Sequence, residues 1–118
     1  MNYHLMIDDK FIDEFIIDAE KVACGQNVYI FTFDKPTTHV KSDKGINAPY
    51  GSVELKEIVR RITKTDRVYI HWFVREAMWV IDNIDHEVPI YLFFLGGDFL
   101  EQTSKFFNFN FEDRKSVV

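Results

Sequence analysis

Cysteine is nearly absent. Cys24 stands alone, so no internal disulfide can form, and a reducing, cytoplasmic setting is expected. Proline and glycine are sparse, three and five among 118 residues, so the few present punctuate rather than pervade the chain. Positive charge is in deficit. Fourteen Lys and Arg face nineteen Asp and Glu, a net charge of -5 and a pI near 5.3. This excludes the basic surface that a general nucleic-acid binder presents to phosphates. No apolar run nears the roughly 20 residues of a membrane span. Met1-Asn2-Tyr3-His4 has no basic segment leading into a signal-type apolar core. No two aspartates are separated by a single residue, so the Asp-x-Asp element of metal-dependent sugar transferases is missing. His4, His39 and His86 show no metal-ligand spacing. Neither a metal nor a cofactor is expected.

What is present is apolar material in short, regular pieces. Hydrophobic residues make up 47%, with twelve phenylalanines, enough for one core in one domain spanning residues 1–118. Tyr3 to Ile7 reads as a strand ending in Asp8-Asp9. Phe11 to Ala23 has helical apolar spacing, with Asp8 or Asp9 as its cap and Gly25 as its stop. Asn27 to Phe33 reads as a second strand. Residues 34–51 lose periodicity around Pro36, Gly45, Pro49 and Gly51, with a short edge strand expected at Thr38 to Lys41. Ser52 opens a helix through Leu55, Ile58, Val59 and Ile62. Arg67 to His71 is a strand, residues 75–84 a helix, Ile90 to Leu95 a buried strand, and Phe99 to Phe107 a last helix, capped by Asp98.

Alternating strands and helices predict an α/β fold. It is a Rossmann-like open parallel sheet of about four strands with helices on both faces. By analogy with half a doubly wound fold, the four strands are expected in the order 3-2-1-4. Ligands in such sheets bind beyond the carboxyl ends of the strands. Asp8 and Asp9, His71 and Trp72, and Gly96, Gly97 and Asp98 would all arrive there.

Each has a bland reading. Asp8-Asp9 is a catalytic or metal-binding pair, or else a helix cap beside a solvated acid. Receiver domains also carry an acidic pair here, but they need another Asp where this chain has His71 and Trp72. His71 is a general base or a bonded strand end. Trp72 and Phe73 are a stacking platform or core packing. Gly96-Gly97 is a phosphate cradle or a plain turn, and it lacks the spacing of the standard phosphate loops. Arg60, Arg61 and Lys64 meet an anion or form a solvated helix face.

Tyr69-Ile70-His71-Trp72-Phe73 and Phe93-Phe94-Leu95-Gly96-Gly97-Asp98-Phe99-Leu100, in that order after Asp8-Asp9, carry a resemblance. The chain is similar to the N-terminal region of the TDP-N-acetylfucosamine:lipid II N-acetylfucosaminyltransferase family. Members have a His-containing strand end, then an aromatic-x-Gly-small-Asp-aromatic element. Here Trp72 stands where the family has Gly, and Leu95 where Trp is frequent. The resemblance implies a two-domain, metal-independent glycosyltransferase. This chain would be its acceptor-side half, inactive without the nucleotide-sugar-binding half that follows. His71 or Asp98 would serve as base, and Asp8, Asp9, Trp72, Gly96 and Gly97 would contact substrate. The partners implied are a lipid-linked saccharide, the C-terminal half, and the inner face of the membrane, touched peripherally through Arg60, Arg61 or residues 34–51. Two alternatives remain: a stand-alone α/β binding or regulatory module, and a magnesium-dependent phosphohydrolase using Asp8 and Asp9.

Overall fold

The computed structural model describes residues 1–34 and 37–93. Within them lie β1 (Asn2–Met6), α1 (Ile12–Val22), β2 (Asn27–Phe31), β3 (Gly45–Asn47), α2 (Val53–Arg61), β4 (Arg67–His71), α3 (Ala77–Asn83) and β5 (Ile90–Phe93). The strands form one sheet, all parallel, in the order β3-β2-β1-β4-β5. The fold is thus the expected α/β open sheet, with helices on both faces.

Two expectations are corrected. The edge strand lies at Gly45–Asn47 and not at Thr38 to Lys41. It takes the place beside β2, so the strand at 67–71 pairs with β1 instead, and the strand at 90–93 pairs with β4. The order 3-2-1-4 therefore fails for the four strands it described. The expected last helix, and the end of the last strand beyond Phe93, lie outside the described residues.

Side-chain alternation splits the core in two. Leu5, Ile30, Val68, Ile70, Ile90 and Leu92 face α2 and α3, which contribute Leu55, Ile58, Val59, Ala77 and Val80. Met6, Tyr29 and Phe31 face α1, which contributes Ile12 and Ile16, one turn apart. The helix begins with Asp13 and Glu14, suited to its positive end, and is ended by Gly25 in the left-handed region at φ 74°. Ser52 caps α2 as expected, its hydroxyl accepting from the Leu55 amide at 3.2 Å.

Gly45 is required by a close approach. A Cβ placed there would run into the Phe31 ring, which is buried and stacked on Phe33. Gly45→Ala is expected to cost about 1–3 kcal/mol through overpacking, read by denaturant unfolding.

Candidate functional site

From β1 the chain winds outward through β2 to β3, then returns to β4 and β5 on the other side. The reversal falls between β1 and β4, and in open α/β sheets the crevice beyond the carboxyl ends at such a point is where ligands bind. The residues delivered there are Asp8 and Asp9 after β1, and His71 and Trp72 at and after β4. Gly96, Gly97 and Asp98 lie outside the described residues.

Asp8 and Asp9 have separate duties. The Asp8 carboxylate accepts from the backbone amides of Thr38, His39 and Val40. Burial pushes its carboxyl up, but the amides of Thr38, Val40 and His39 outweigh that and hold it below its ordinary value. The Asp13 carboxylate accepts from the backbone amides of Lys41 and Ser42. Two carboxylates from one side of the sheet thus fasten the loop over 37–42, which leaves Asp8 committed rather than a free metal ligand or base. Among the described residues, no group of three His, Cys, Asp or Glu is arranged to hold a metal ion. Asp9 accepts from the Phe11 amide at 3.1 Å, just ahead of α1. Asp8→Ala is expected to speed amide exchange at Thr38, His39 and Val40 and to cost about 1–2 kcal/mol. Because the folded carboxyl is lowered, this contribution is present above the ordinary value near 3.8 and disappears as pH falls through the lowered one.

Among the described residues, Trp72 is the non-glycine residue with left-handed backbone, at φ 68°. An L side chain there costs roughly 1–2 kcal/mol, and such outliers collect at functional sites. Its amide donates to the Phe93 carbonyl at 2.7 Å and its side chain is 42% exposed, whereas Phe73 packs against the core. Trp72→Gly and Trp72→Ala both lose the indole, but only Gly relieves the backbone. The Gly variant is expected to unfold with about 1 kcal/mol more free energy than the Ala variant.

His71 closes β4 as expected, but its ring is 1% exposed and lies under α1, not at the surface of the crevice. It meets His4, whose side chain comes from the centre of β1. His71 Nε2 and His4 Nδ1 are 3.0 Å apart. Beyond His4, Nε2 lies 3.0 Å from Asn27 Oδ1. The rings pack in an aromatic layer. Tyr29 and Tyr69 stack on His4 at centroid distances of 5.2 and 4.9 Å, and Phe15 and Phe93 meet His71 edge-on at 4.5 and 5.0 Å.

The hydrogen-bond inventory fixes both tautomers. Asn27 Nδ2 faces Glu20 Oε2 at 2.9 Å, the Ala23 carbonyl at 2.9 Å and the Ala19 carbonyl at 3.4 Å, so it must be the nitrogen. Asn27 Oδ1 then accepts from His4 Nε2–H. Neutral His4 has a bare Nδ1, which accepts from His71 Nε2–H. Neutral His71 is left with a bare Nδ1, the buried side-chain atom without a partner among the described residues. Burial lowers the proton affinity of His4, against the Asn27 bond and the charge of Glu20. Burial, then the charge of His4, pushes His71 well below its ordinary value. At the outer end, Glu20 accepts from Tyr29 at 2.7 Å, and the bonds from Tyr29 and Asn27 lower its carboxyl.

Comparison with family models, with curated proteins and with solved structures found no match to this chain.

Sequence reasoning overlooked His4, Asn27 and Glu20 as members of a site. A signal existed for His4: a polar ring amid Tyr3, Leu5 and Met6 must be paired if buried. Its partner required the strand order. Arg60, Arg61 and Lys64 are exposed on or just beyond α2, with Arg60 bonded to Glu57 at 3.2 Å and Lys64 4.0 Å from Glu87, a solvated helix face. Two further hollows open beside the sheet. One of about 690 Å3 is bounded by Phe31, Val40, Lys41, Ser42, Gly45 and Asn47. Another of about 390 Å3 lies between Tyr50, Leu55, Lys56, Glu76 and Trp79.

Proposed function

We propose that this chain is the acceptor-side half of a glycosyltransferase that moves an acetamido-deoxyhexose from a nucleotide sugar to a lipid-linked saccharide. One observation carries the reading. A His-terminated central strand runs straight into a left-handed residue at the point where the sheet reverses, beside the Asp8-Asp9 loop. The family resembled has Gly after that histidine, and Gly is the residue for which positive φ is free of strain. Trp72 keeps the backbone conformation that Gly would serve while adding an exposed indole on which a sugar ring can stack.

In this reading the acceptor saccharide lies across the carboxyl ends of β1 and β4. Its hydroxyl approaches His71, and the nucleotide sugar is held by a second domain of the same protein. No helix among the described residues is long and apolar enough to cross a membrane, so contact with the lipid-borne acceptor would be peripheral.

The test is a titration of the chain with a soluble analogue of the lipid-linked saccharide, followed by amide shifts. Perturbation of residues 71–73 together with Asp8 and Asp9 is the expected result. Shifts confined elsewhere, or none, would overturn the reading. The burial of His71 favours a second reading, a non-catalytic α/β binding or regulatory module, since a ring closed to solvent meets no substrate as it stands. A coding sequence that continues into a second α/β half supports the transferase, and a stop after Val118 supports the module.

A further inference from the structure

We propose that His71 and His4 form a two-imidazole proton relay in which His4 is the terminal acceptor, positioned by Asn27 and Glu20. The identity of the incoming proton's donor rests on the glycosyltransferase reading. The relay itself rests on geometry alone.

The direction follows from the tautomers. His71 has one open position for a proton, the bare Nδ1. Its other nitrogen already carries hydrogen and points at the bare Nδ1 of His4, 3.0 Å away. A proton arriving at His71 Nδ1 releases the one on Nε2 to His4. His71 ends neutral in the opposite tautomer. His4 ends as an imidazolium with hydrogen on both nitrogens, and its Nε2–H remains on Asn27 Oδ1.

In the reaction, the acceptor O–H bond breaks as its oxygen forms a bond to the anomeric carbon. The nucleotide diphosphate leaves with the electron pair of the old glycosidic bond. The acceptor proton goes to His71 Nδ1, and the His71 Nε2 proton goes to His4 Nδ1.

The surroundings make His4 the better resting place for the charge. Among the described residues, the titratable groups facing the pair are Glu20 from α1, Tyr29 from β2 and Tyr69 from β4, while β5 contributes Phe93. Glu20 is the group among them that is anionic near neutrality. It reaches His4 through Asn27 and has no such link to His71. Two tyrosine rings also stack on His4, offering their negative faces to a cation. His71 has no ring stacked on it among the described residues; Phe15 and Phe93 meet it in T-shaped contacts, and Phe15 meets His4 in the same way. His71, closed to solvent in this structure, meets the acceptor only once binding opens the layer over its Nδ1, and His4, Asn27 and Glu20 are positioning residues.

Long-range proton–nitrogen spectra of the imidazoles, recorded on the ligand-free chain at neutral pH, test the relay. Both rings should carry hydrogen on Nε2 and show a bare Nδ1. On stepwise acidification within the folded range, the pair should take up one proton, and the resting cation should appear on His4. Glu20→Gln keeps an oxygen acceptor for Tyr29 and Asn27 at a half-buried position of α1. It should lower the His4 midpoint while leaving both neutral tautomers unchanged.

Hydrogen on Nδ1 of either neutral ring would overturn the relay, as would a His71 imidazolium forming ahead of His4. So would a His4 midpoint indifferent to Glu20→Gln. None of these readouts involves a saccharide. A failed acceptor titration therefore counts against the proposed function alone, and a wrong tautomer counts against the relay alone.

Discussion

Acidification below pH 6.5 is expected to weaken the fold by up to about 2.7 kcal/mol for each pH unit, while His4 and His71 both remain neutral inside it. The sign follows from linkage. Both rings have lowered proton affinity when folded, so in this window the unfolded chain binds protons that the folded chain refuses. Stability then rises with pH, is fully present above the ordinary histidine value, and drains as pH falls beneath it. The slope eases once His4 begins to take its proton, because Glu20 and Asn27 support that charge. The lowered carboxyls of Asp8, Glu20 and Asp66 act in a separate window, nearer pH 4 and below. Urea unfolding at half-unit steps from pH 7.5 to 5 measures the slope. The double variant His4→Leu, His71→Leu should flatten it, since Asn27 Oδ1 keeps Asn2 Nδ2 at 3.3 Å as a donor. Each single variant should cost about 1–3 kcal/mol, because each strands a buried polar group of the partner ring. An unchanged slope in the double variant would place the acid sensitivity elsewhere.

Much of the architecture could be read from residue order because the signals were local. Arg67 to His71 alternates and is bounded by Asp66, and the strand has those limits. The spacing of Ile12 and Ile16, and Ser52 three residues before Leu55, likewise fixed α1 and α2 within a residue or two. What could not be read was long-range. Gly45-Ile46-Asn47 is too short to show a period, yet by occupying the edge beside β2 it decides which strand β1 receives on its other side. Without that, nothing brings His4 against His71, residues 67 positions apart. The same holds for Asp8. A carboxylate eight residues into the chain was readable as a cap, but its bonds to amides thirty to thirty-two residues away depend on a loop whose path no periodicity encodes.

Ile70→Ala should be among the most damaging single changes, costing about 2–5 kcal/mol. Register places Ile46, Ile30, Leu5, Ile70 and Leu92 in one row across the sheet. Ile70 is 0% exposed within it, flanked by Leu5 and Leu92 and roofed by the α2 and α3 core. Neighbours fixed in strands on both sides cannot collapse into the space, so the lost contacts are compounded by a retained cavity. Ile46 occupies the end of the same row and is 46% exposed. Ile46→Ala deletes the same atoms but should cost under about 1 kcal/mol, because water already reaches the site. The contrast between the two isoleucines, measured by denaturant unfolding, is a direct assay of strand order. Were 67–71 an edge strand beside β2, as the analogy with half a doubly wound fold had suggested, the two costs would converge. The interior position of Ile70 is also what carries the next two residues, His71 and Trp72, to the point beside β1 where the crevice opens. A large gap between the variants therefore supports the placement on which both the acceptor site and the imidazole pair depend.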